Sequence, residues 1–481
     1  MKTKLSGAKQ KIYFIGIKGV GMTMLAEFLK SKGHEVSGSD VSETFLTDKV
    51  LERLRIPVSS PFSPANIPPL FDKIIYSSAY NPDNNSELSF IVQNNRRFKN
   101  KKILSYAVAL SEVFNAYKGI AVCGSHGKTT TTAWLGYVLN KAGLSPNVLV
   151  GSRVPQFKGS GLIGSSRYMV AEVDEYQDKT RFFRPRAAIL NNIDYDHPDF
   201  FKTVGDYCRI FHNFVGKIPS SGWLVVNYDD REAKKAAGAC SGRVISYSCF
   251  PKKNCPEDYQ AFNIRQVKEK QVFRLIFRGR DVGEFSIKLF GRHNIANALA
   301  VIAAAHELKV SFSDIRRHLG SFQGTERRGQ VLGEYNGAVI IDDYAHHPSE
   351  VRATLAGLRE RWPDKRIITV FHPHTFSRTA ALFKDFVVSF SDSDLLVVLD
   401  IYSSAREQAG RQRDVSGFKL SQAVAAFNKR NNIRQTVRSL PDLKAAGEFL
   451  QKAARSGDLV VLMGAGDVFR IGKSLLKGKI V

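Results

Sequence analysis

Residues 119–134 read Gly-Ile-Ala-Val-Cys-Gly-Ser-His-Gly-Lys-Thr-Thr-Thr-Thr-Ala-Trp, a run whose residue types and order suit one task, holding phosphate. The apolar stretch 120–123 predicts a buried strand. Gly124, Ser125, His126 and Gly127 form a turn, and Lys128, Thr129 and Thr130 open a helix. Backbone N–H groups at such a helix start point toward an anion, the helix dipole favours negative charge, and glycine lets the backbone come close. Lys128 then reaches the β- and γ-phosphates of a nucleotide, and the Thr129 hydroxyl ligates Mg2+. The spacing departs from the usual G-x-x-x-x-G-K-[ST], because Val122 stands where the first glycine belongs. The plain alternative is an ordinary glycine turn with an exposed lysine; Gly-Lys-Thr-Thr directly after a strand favours the nucleotide.

Carboxylates follow at the ends of apolar runs. The run 168–173 closes on Glu172, Val173, Asp174 and Glu175, and Glu172 is the best candidate to ligate Mg2+, since hard cations take oxygen donors. The run 187–193 leads into Asp194, Tyr195, Asp196, His197, Pro198 and Asp199, either a metal-binding His among acids or a capping cluster. Asn294 and Asn297, three apart at the start of an apolar helix over 291–308, either cap that helix or hydrogen-bond a base. Later runs deliver Asp342, Asp343, Tyr344, Ala345, His346, His347 and Pro348, then His372 to Thr379, then Asp400 and Tyr402, then Gly464 to Asp467. Polar residues at successive strand C-termini form the lip of a site in open α/β sheets.

These groups need elements to place them, and the pattern supplies three α/β units. The first opens with a strand over 11–17, the glycines Gly16, Gly19 and Gly21, an amphipathic helix to about residue 32, and a strand over 34–37 that reaches Asp40. This is close to a dinucleotide-binding turn, but its order is G-x-x-G-x-G. Two ligands compete here, a nicotinamide cofactor and a UDP-sugar, and Asp40 suits a ribose hydroxyl of either. A strand over 73–78 closes on Ser77 and Ser78. The second unit begins with the phosphate loop and carries a small edge meander over 261–289; the third alternates strands and helices after Gly324. The domain division predicted is 1–105, 106–323 and 324–481.

Composition bounds the rest. A chain of 481 residues with 43% hydrophobic and 24% charged residues is globular, with room for about three domains. No apolar run approaches the roughly 18 residues of a membrane helix, and no apolar segment precedes the first strand, so membrane insertion and a signal peptide are not expected and a cytoplasmic protein is. Five cysteines without a CxxC pair argue against a disulfide framework or a zinc site. The net charge of +25 attracts polyanions, but the basic residues are dispersed, so a nucleic-acid partner is not expected.

Together, Gly124 to Thr130, Glu172 to Glu175, Asn192 to His197, His293 to Asn297, Arg327–Arg328, Asp342 to Pro348 and His372 to Arg378 resemble, in order and spacing, the Mur ligases, over about residues 11–470. The resemblance implies a three-domain fold: a Rossmann-like UDP-sugar domain, a P-loop-type ATPase domain and a Rossmann-like amino-acid domain. It also implies ATP-dependent amide synthesis in peptidoglycan precursor assembly. The lactyl carboxylate of UDP-N-acetylmuramate is phosphorylated to an acyl phosphate, which the amine of L-alanine then attacks. Carried onto this sequence, it assigns Lys128 to the γ-phosphoryl, Thr129 and Glu172 to Mg2+, and His197 to a second metal site. Ser125, His126 and Thr130 belong to the ATP loop, Asn294 and Asn297 face adenine, Arg328 faces a phosphate, and Asp343 and Tyr344 approach the nucleotide. His346 and Arg378 seat the amino-acid carboxylate, and Gly16, Gly19, Gly21, Asp40, Ser77 and Ser78 hold the UDP-sugar, in a monomer or dimer.

Two departures stand out. Lys18 occupies a position where the family often has glycine, and 203–214 contains no lysine, although sister ligases carry a carbamylated one near there. Three rival readings remain: a recycling ligase of the same family that attaches a whole peptide, an NAD-dependent enzyme fused to an ATPase, and a nucleic-acid-stimulated ATPase.

Overall fold

The computed structural model describes residues 9–45, 47–250, 257–402 and 414–478. It is an α/β structure built on three sheets. The first has five parallel strands in the spatial order Val58–Ser59, Glu35–Ser39, Lys11–Ile15, Lys73–Tyr76, Lys102–Ser105. Lys11–Ile15 is central because every residue after its exposed first one is buried. Successive side chains point to opposite faces, so Ile12 and Phe14 join one apolar cluster while Tyr13 and Ile15 join another. The first of these clusters continues through Phe28, Leu110 and Phe114 into Ala121 and Cys123, so the first and second units share a core.

The second sheet has ten strands. At its heart Lys118–Cys123 lies between Tyr168–Glu172 and Ala187–Leu190, all parallel, so the loop after Cys123 emerges between two strand ends that carry acids and amides. The parallel strands Trp223–Asn227 and Arg243–Ser248, which the pattern beyond Gly222 did not predict, extend it. The expected meander is present as Tyr259–Val267, Lys270–Phe277 and Arg280–Ile287, and it continues this sheet. Helices Lys128–Lys141 and Arg292–Glu307 are buried on nearly every side, which explains why neither shows a clear polar face.

The third sheet runs Gln330–Tyr335, Ala338–Asp343, Leu459–Met463, Ile367–Phe371, Leu395–Leu399, Thr436–Leu440, parallel except at its first strand. Among the described residues no helix is long and apolar enough to cross a membrane, and the four described cysteines are free. Cys255 lies outside the described residues.

Candidate functional site

The loop between Cys123 and Lys128 is held from below by its neighbour strand. Ser125 N donates to Asn192 O and His126 N to Asn192 Oδ1, at 3.1 and 2.8 Å. The Ser125 hydroxyl donates to Asp194 O at 2.7 Å. Gly127 has φ +77°, and a Cβ there would come within 2.6 Å of Asn297 Oδ1, so both backbone and space demand glycine. No side chain caps the helix that follows, which leaves its first N–H groups directed at the loop.

Lys128 Nζ donates to Gly124 O, Ser125 O and Glu175 Oε2 at 2.6, 3.0 and 2.9 Å. Burial disfavours its charge, but Glu175 and Asp174 outweigh that and raise its pKa. The Thr129 hydroxyl donates to Glu172 Oε2 at 2.8 Å, and burial raises the pKa of Glu172 against the pull of Thr129 and Lys128. Beside this pair, Asp174, Glu175 and His197 each offer a donor atom within 4.8 Å of the others. His197 sits at φ +57°, with its ring 4.6 Å from that of Tyr176. Oxygen-rich donors of this kind fit a hard divalent cation such as Mg2+. In the segment without lysine, Tyr207 donates to Glu175 Oε1 at 2.9 Å and lies 2.8 Å from Ser125 Oγ, tying the helix Val204–Val215 to the loop.

A cavity of about 450 Å3 opens beside the loop, lined by His126, Gly127 and Thr130, by Asn294 and Asn297, and by Arg328 and Asp343. Asn294 Nδ2 donates to Phe290 O at 2.7 Å, Asn297 Nδ2 to Asn294 Oδ1 at 3.2 Å, and Thr131 Oγ1 to Asn297 Oδ1 at 3.2 Å. No side chain caps this helix, so the amides do not serve as its cap; they form one hydrogen-bonded chain along the cavity wall. Among the described residues, His293 Nδ1 and Asn191 Oδ1 are buried without a hydrogen-bond partner, and both residues line this cavity. Burial pulls His293 down to about 4, so its ring is neutral at pH 7. A polar wall with unmet hydrogen-bonding atoms suits a heteroaromatic base.

The third unit closes one side. Arg328 lies 3.5 Å from Glu350 and against the Tyr344 ring at 4.9 Å. Asp343 accepts from Gly329 N and Ala345 N at 2.7 and 2.8 Å; burial lifts it to about 6 despite Arg328. Asp343, expected to approach the nucleotide, lines the cavity and braces the turn that carries Arg328. His346 places Nδ1 2.9 Å from Tyr344 O. Arg378, expected to seat a carboxylate, grips one of the protein's own: its Nε and terminal nitrogen donate to Asp196 at 2.8 and 3.2 Å, and both residues are buried. Arg378 holds the Asp196 carboxyl well below its ordinary range, although burial opposes this. His347 adds a second cross-domain bond, to Tyr195 O at 3.1 Å.

The turn of the first unit is built differently. Gly16 has φ +82°, and a Cβ on it would meet the Tyr80 ring at 2.6 Å. Asp40, expected to meet a ribose, accepts from Lys18 N and Val41 N at 2.6 and 2.8 Å and is almost fully buried, so it shapes the loop from inside. Lys18, standing in for a glycine, folds its ammonium back onto Val41 O and Glu43 O, each at 2.9 Å. Ser77 accepts from Ala79 N at 3.3 Å, and Ser78 follows it at the same strand end. A Cβ on Gly21 would meet Tyr106 Oη at 2.6 Å; burial raises the Tyr106 pKa and the charges of Glu172 and Asp174 add to it, so this phenol stands between the first turn and the central acids. A Cβ on Gly19 would make only ordinary van der Waals contact, with Gly16 O at 3.7 Å.

The structure thus gathers Lys128, Thr129, Glu172, His197, Asn294, Asn297, Arg328 and Asp343 around one loop, and sets Gly16, Gly21, Asp40 and Ser77 around another. Sequence reasoning missed Glu175, Tyr207, Asp196 and Glu350 as partners. Glu175 and Asp196 lay inside recognised motifs; Tyr207 and Glu350 sit within helices and carried no distinguishing signal.

Models of three domain families match the chain in sequence: "Mur ligase family, catalytic domain" over residues 11–118, "Mur ligase middle domain" over 122–305, and "Mur ligase, glutamate ligase domain" over 327–466. A protein of Desulfitobacterium hafniense (strain Y51) named UDP-N-acetylmuramate–L-alanine ligase is 37% identical, over 97% of this chain and 99% of its own. One of the same name from Geobacter sulfurreducens is 34% identical, over 98% of each. Among solved structures, a UDP-N-acetylmuramate–alanine ligase from Thermotoga maritima superposes with a TM-score of 0.80 at 23% identity, covering 98% of this chain and 99% of that one. A murein peptide ligase from Psychrobacter arcticus 273-4 gives 0.71 at 25% identity, with the same coverage.

Proposed function

The chain belongs to the Mur ligase family, and from that premise we infer that it joins L-alanine to the lactyl carboxylate of UDP-N-acetylmuramate with hydrolysis of ATP, in peptidoglycan precursor synthesis. The single observation that carries the chemistry is the cluster of Lys128, Thr129, Glu172, Asp174, Glu175 and His197 at one helix start, roofed by Arg328 of the third unit. The membership also turns the glycine turn of the first unit away from the nicotinamide reading and toward a UDP-sugar. We assign residues 1–105 to UDP-N-acetylmuramate, 106–323 to ATP and 324–481 to the amino acid, in a cytoplasmic enzyme.

ATP lies with its phosphates on the loop at Gly124 to Thr130 and its base in the cavity by Asn294, Asn297 and His293. Thr129 and Glu172 would hold Mg2+, with Asp174, Glu175 and His197 for a second ion; the metal supplies neutralisation of the phosphate charge. The lactyl carboxylate attacks the γ-phosphorus, the bond to ADP breaks, and Lys128 stabilises the charge on the transferring group. Lys128 must leave Glu175 for this, which frees a carboxylate next to His197. The amine of L-alanine then attacks the acyl carbonyl carbon, and phosphate departs. Arg328 shields the nucleotide phosphates, while His346 faces the acceptor side. Arg378 acts by fastening the acceptor-side loop to Asp196, so that the site excludes water when the acyl phosphate is present.

The likeness to a murein peptide ligase structure keeps one alternative in view, with identical chemistry and a larger acceptor. Phosphate release measured with L-alanine and with L-Ala-D-Glu-diaminopimelate separates them. Turnover with L-alanine is expected; turnover with the tripeptide alone overturns the assignment.

A further inference from the structure

Glu350 belongs to the first turn of the helix Pro348–Arg361. An acid there ordinarily faces water and complements the helix dipole. This one points inward, with its side chain 11% exposed, and gathers partners from three separate segments. Oε1 lies 3.2 Å from His126 Nδ1 and 3.5 Å from Arg328. Oε2 accepts from His346 N at 3.1 Å and lies 3.2 Å from His346 Nδ1. Those partners are the phosphate loop, the arginine beside the nucleotide cavity, and the acceptor-side loop.

The His126 contact crosses from the second unit to the third, between residues 224 positions apart. Its other ring nitrogen, Nε2, is 3.1 Å from Asp194 Oδ2, so the imidazole is clamped between a carboxylate of its own unit and one of the neighbour. A ring that donates from both nitrogens is an imidazolium. Burial works against that charge, but Asp194 and Glu350 outweigh it and lift the ring to about 9. The pair is therefore charge-assisted at neutral pH, and it forms only when the third unit is seated on the phosphate loop.

We propose that Glu350 is a positioning residue that makes three working parts of the ligase site, His126, Arg328 and His346, adopt their places together on domain closure. Through it the phosphate loop senses the acceptor-side loop. This rests on the ligase reading above, and it predicts a dependence that the separate roles of these residues do not: disturbing the phosphate-loop end of the contact weakens the amino acid's hold as well.

The test is steady-state kinetics on the full chain, varying ATP, L-alanine and UDP-N-acetylmuramate in turn, for the wild type, Glu350→Gln, His126→Gln and the double variant. Glu350→Gln is expected to raise KM for ATP and for L-alanine by about tenfold each, as for loss of a charge-assisted hydrogen bond, while KM for UDP-N-acetylmuramate stays put. His126→Gln is expected to raise KM for L-alanine too, and the double variant to be no worse than Glu350→Gln. Equal losses in all three KM values, an unmoved L-alanine KM in His126→Gln, or additive losses in the double variant overturn the proposal. Should Glu350→Gln fail to fold by thermal unfolding, the L-alanine KM of His126→Gln decides alone. A wild type that turns over only the tripeptide refutes the acceptor assignment instead, and the same KM comparison is then made with the tripeptide.

Discussion

Two of the glycine turns at strand ends, at Gly16 and at Gly124, are built on opposite principles. The turn at Gly16 is finished within its own unit: Asp40 is bonded to the loop backbone, Lys18 folds back onto carbonyls, and Tyr80 covers the glycine. The turn at Gly124 to Lys128 is left with its charges paired to one another. Lys128 is on Glu175, Thr129 on Glu172, and His126 lies between Asp194 and an acid of the next unit. On the proposed reading, the first takes its ligand without breaking these bonds. On the same reading, the second exchanges partners when a nucleotide arrives, and it is complete only with the third unit in place. The proposed roles therefore separate recognition of the sugar nucleotide from commitment to chemistry in space.

The largest effect that sharpens this contrast comes from Lys128→Ala. Removing a preorganised charge from the transferring phosphoryl is expected to lower kcat by about 10²–10³-fold or more, with calorimetric binding of UDP-N-acetylmuramate unchanged. Arg378→Ala breaks a buried ion pair between units and leaves Asp196 uncompensated, a cost of about 3–5 kcal/mol, read as a lowered denaturant midpoint. Adding Asp196→Asn to Arg378→Ala is expected to recover part of that cost, because it removes the stranded charge.

Gly16→Ala attacks the other turn. Its positive φ costs a side chain roughly 1–2 kcal/mol, and the clash with Tyr80 adds to that, so sugar-nucleotide affinity is expected to fall about tenfold or more while KM for ATP holds. The smallest effect is one of pH. His126 is raised from 6.5 to about 9, so its contribution to holding the second and third units together is full below about 6.5 and is lost as pH rises through 9. A thermal midpoint that falls between pH 8 and 10 in the wild type, with less of a fall in His126→Gln, is the expected result.

Much of the fold was legible because the strands at the centre of each sheet are short apolar runs ending in a functional residue. Ile120 to Glu172 could be placed this way, as could the Asp342 and His372 turns. The strands Trp223–Asn227 and Arg243–Ser248 were not, since each is bounded by polar segments and only long-range pairing marks them as part of the main sheet. Within the site, residues that touch ligand chemistry stood out by type, as Lys128, Thr129 and Glu172 did. Those that act on other side chains did not. Nothing local distinguishes Glu350 from a solvated helix-start acid, and only the third unit's placement brings it to His126. Asp40 shows the reverse case: its spacing marks it as a ribose partner, while only the fold shows that it is bonded to its own loop.

On the proposed reading the first unit binds the sugar nucleotide by itself, while the reaction site depends on the contact between the second and third. Calorimetric titration of UDP-N-acetylmuramate into the wild type, Lys128→Ala and Glu350→Gln, alongside phosphate release with ATP and L-alanine, tests it most directly. One shared Kd for the sugar nucleotide is expected, with a large loss of phosphate release in Lys128→Ala and, at ATP and L-alanine below their KM, a smaller loss in Glu350→Gln. A Kd that weakens in step with the lost turnover would contradict it.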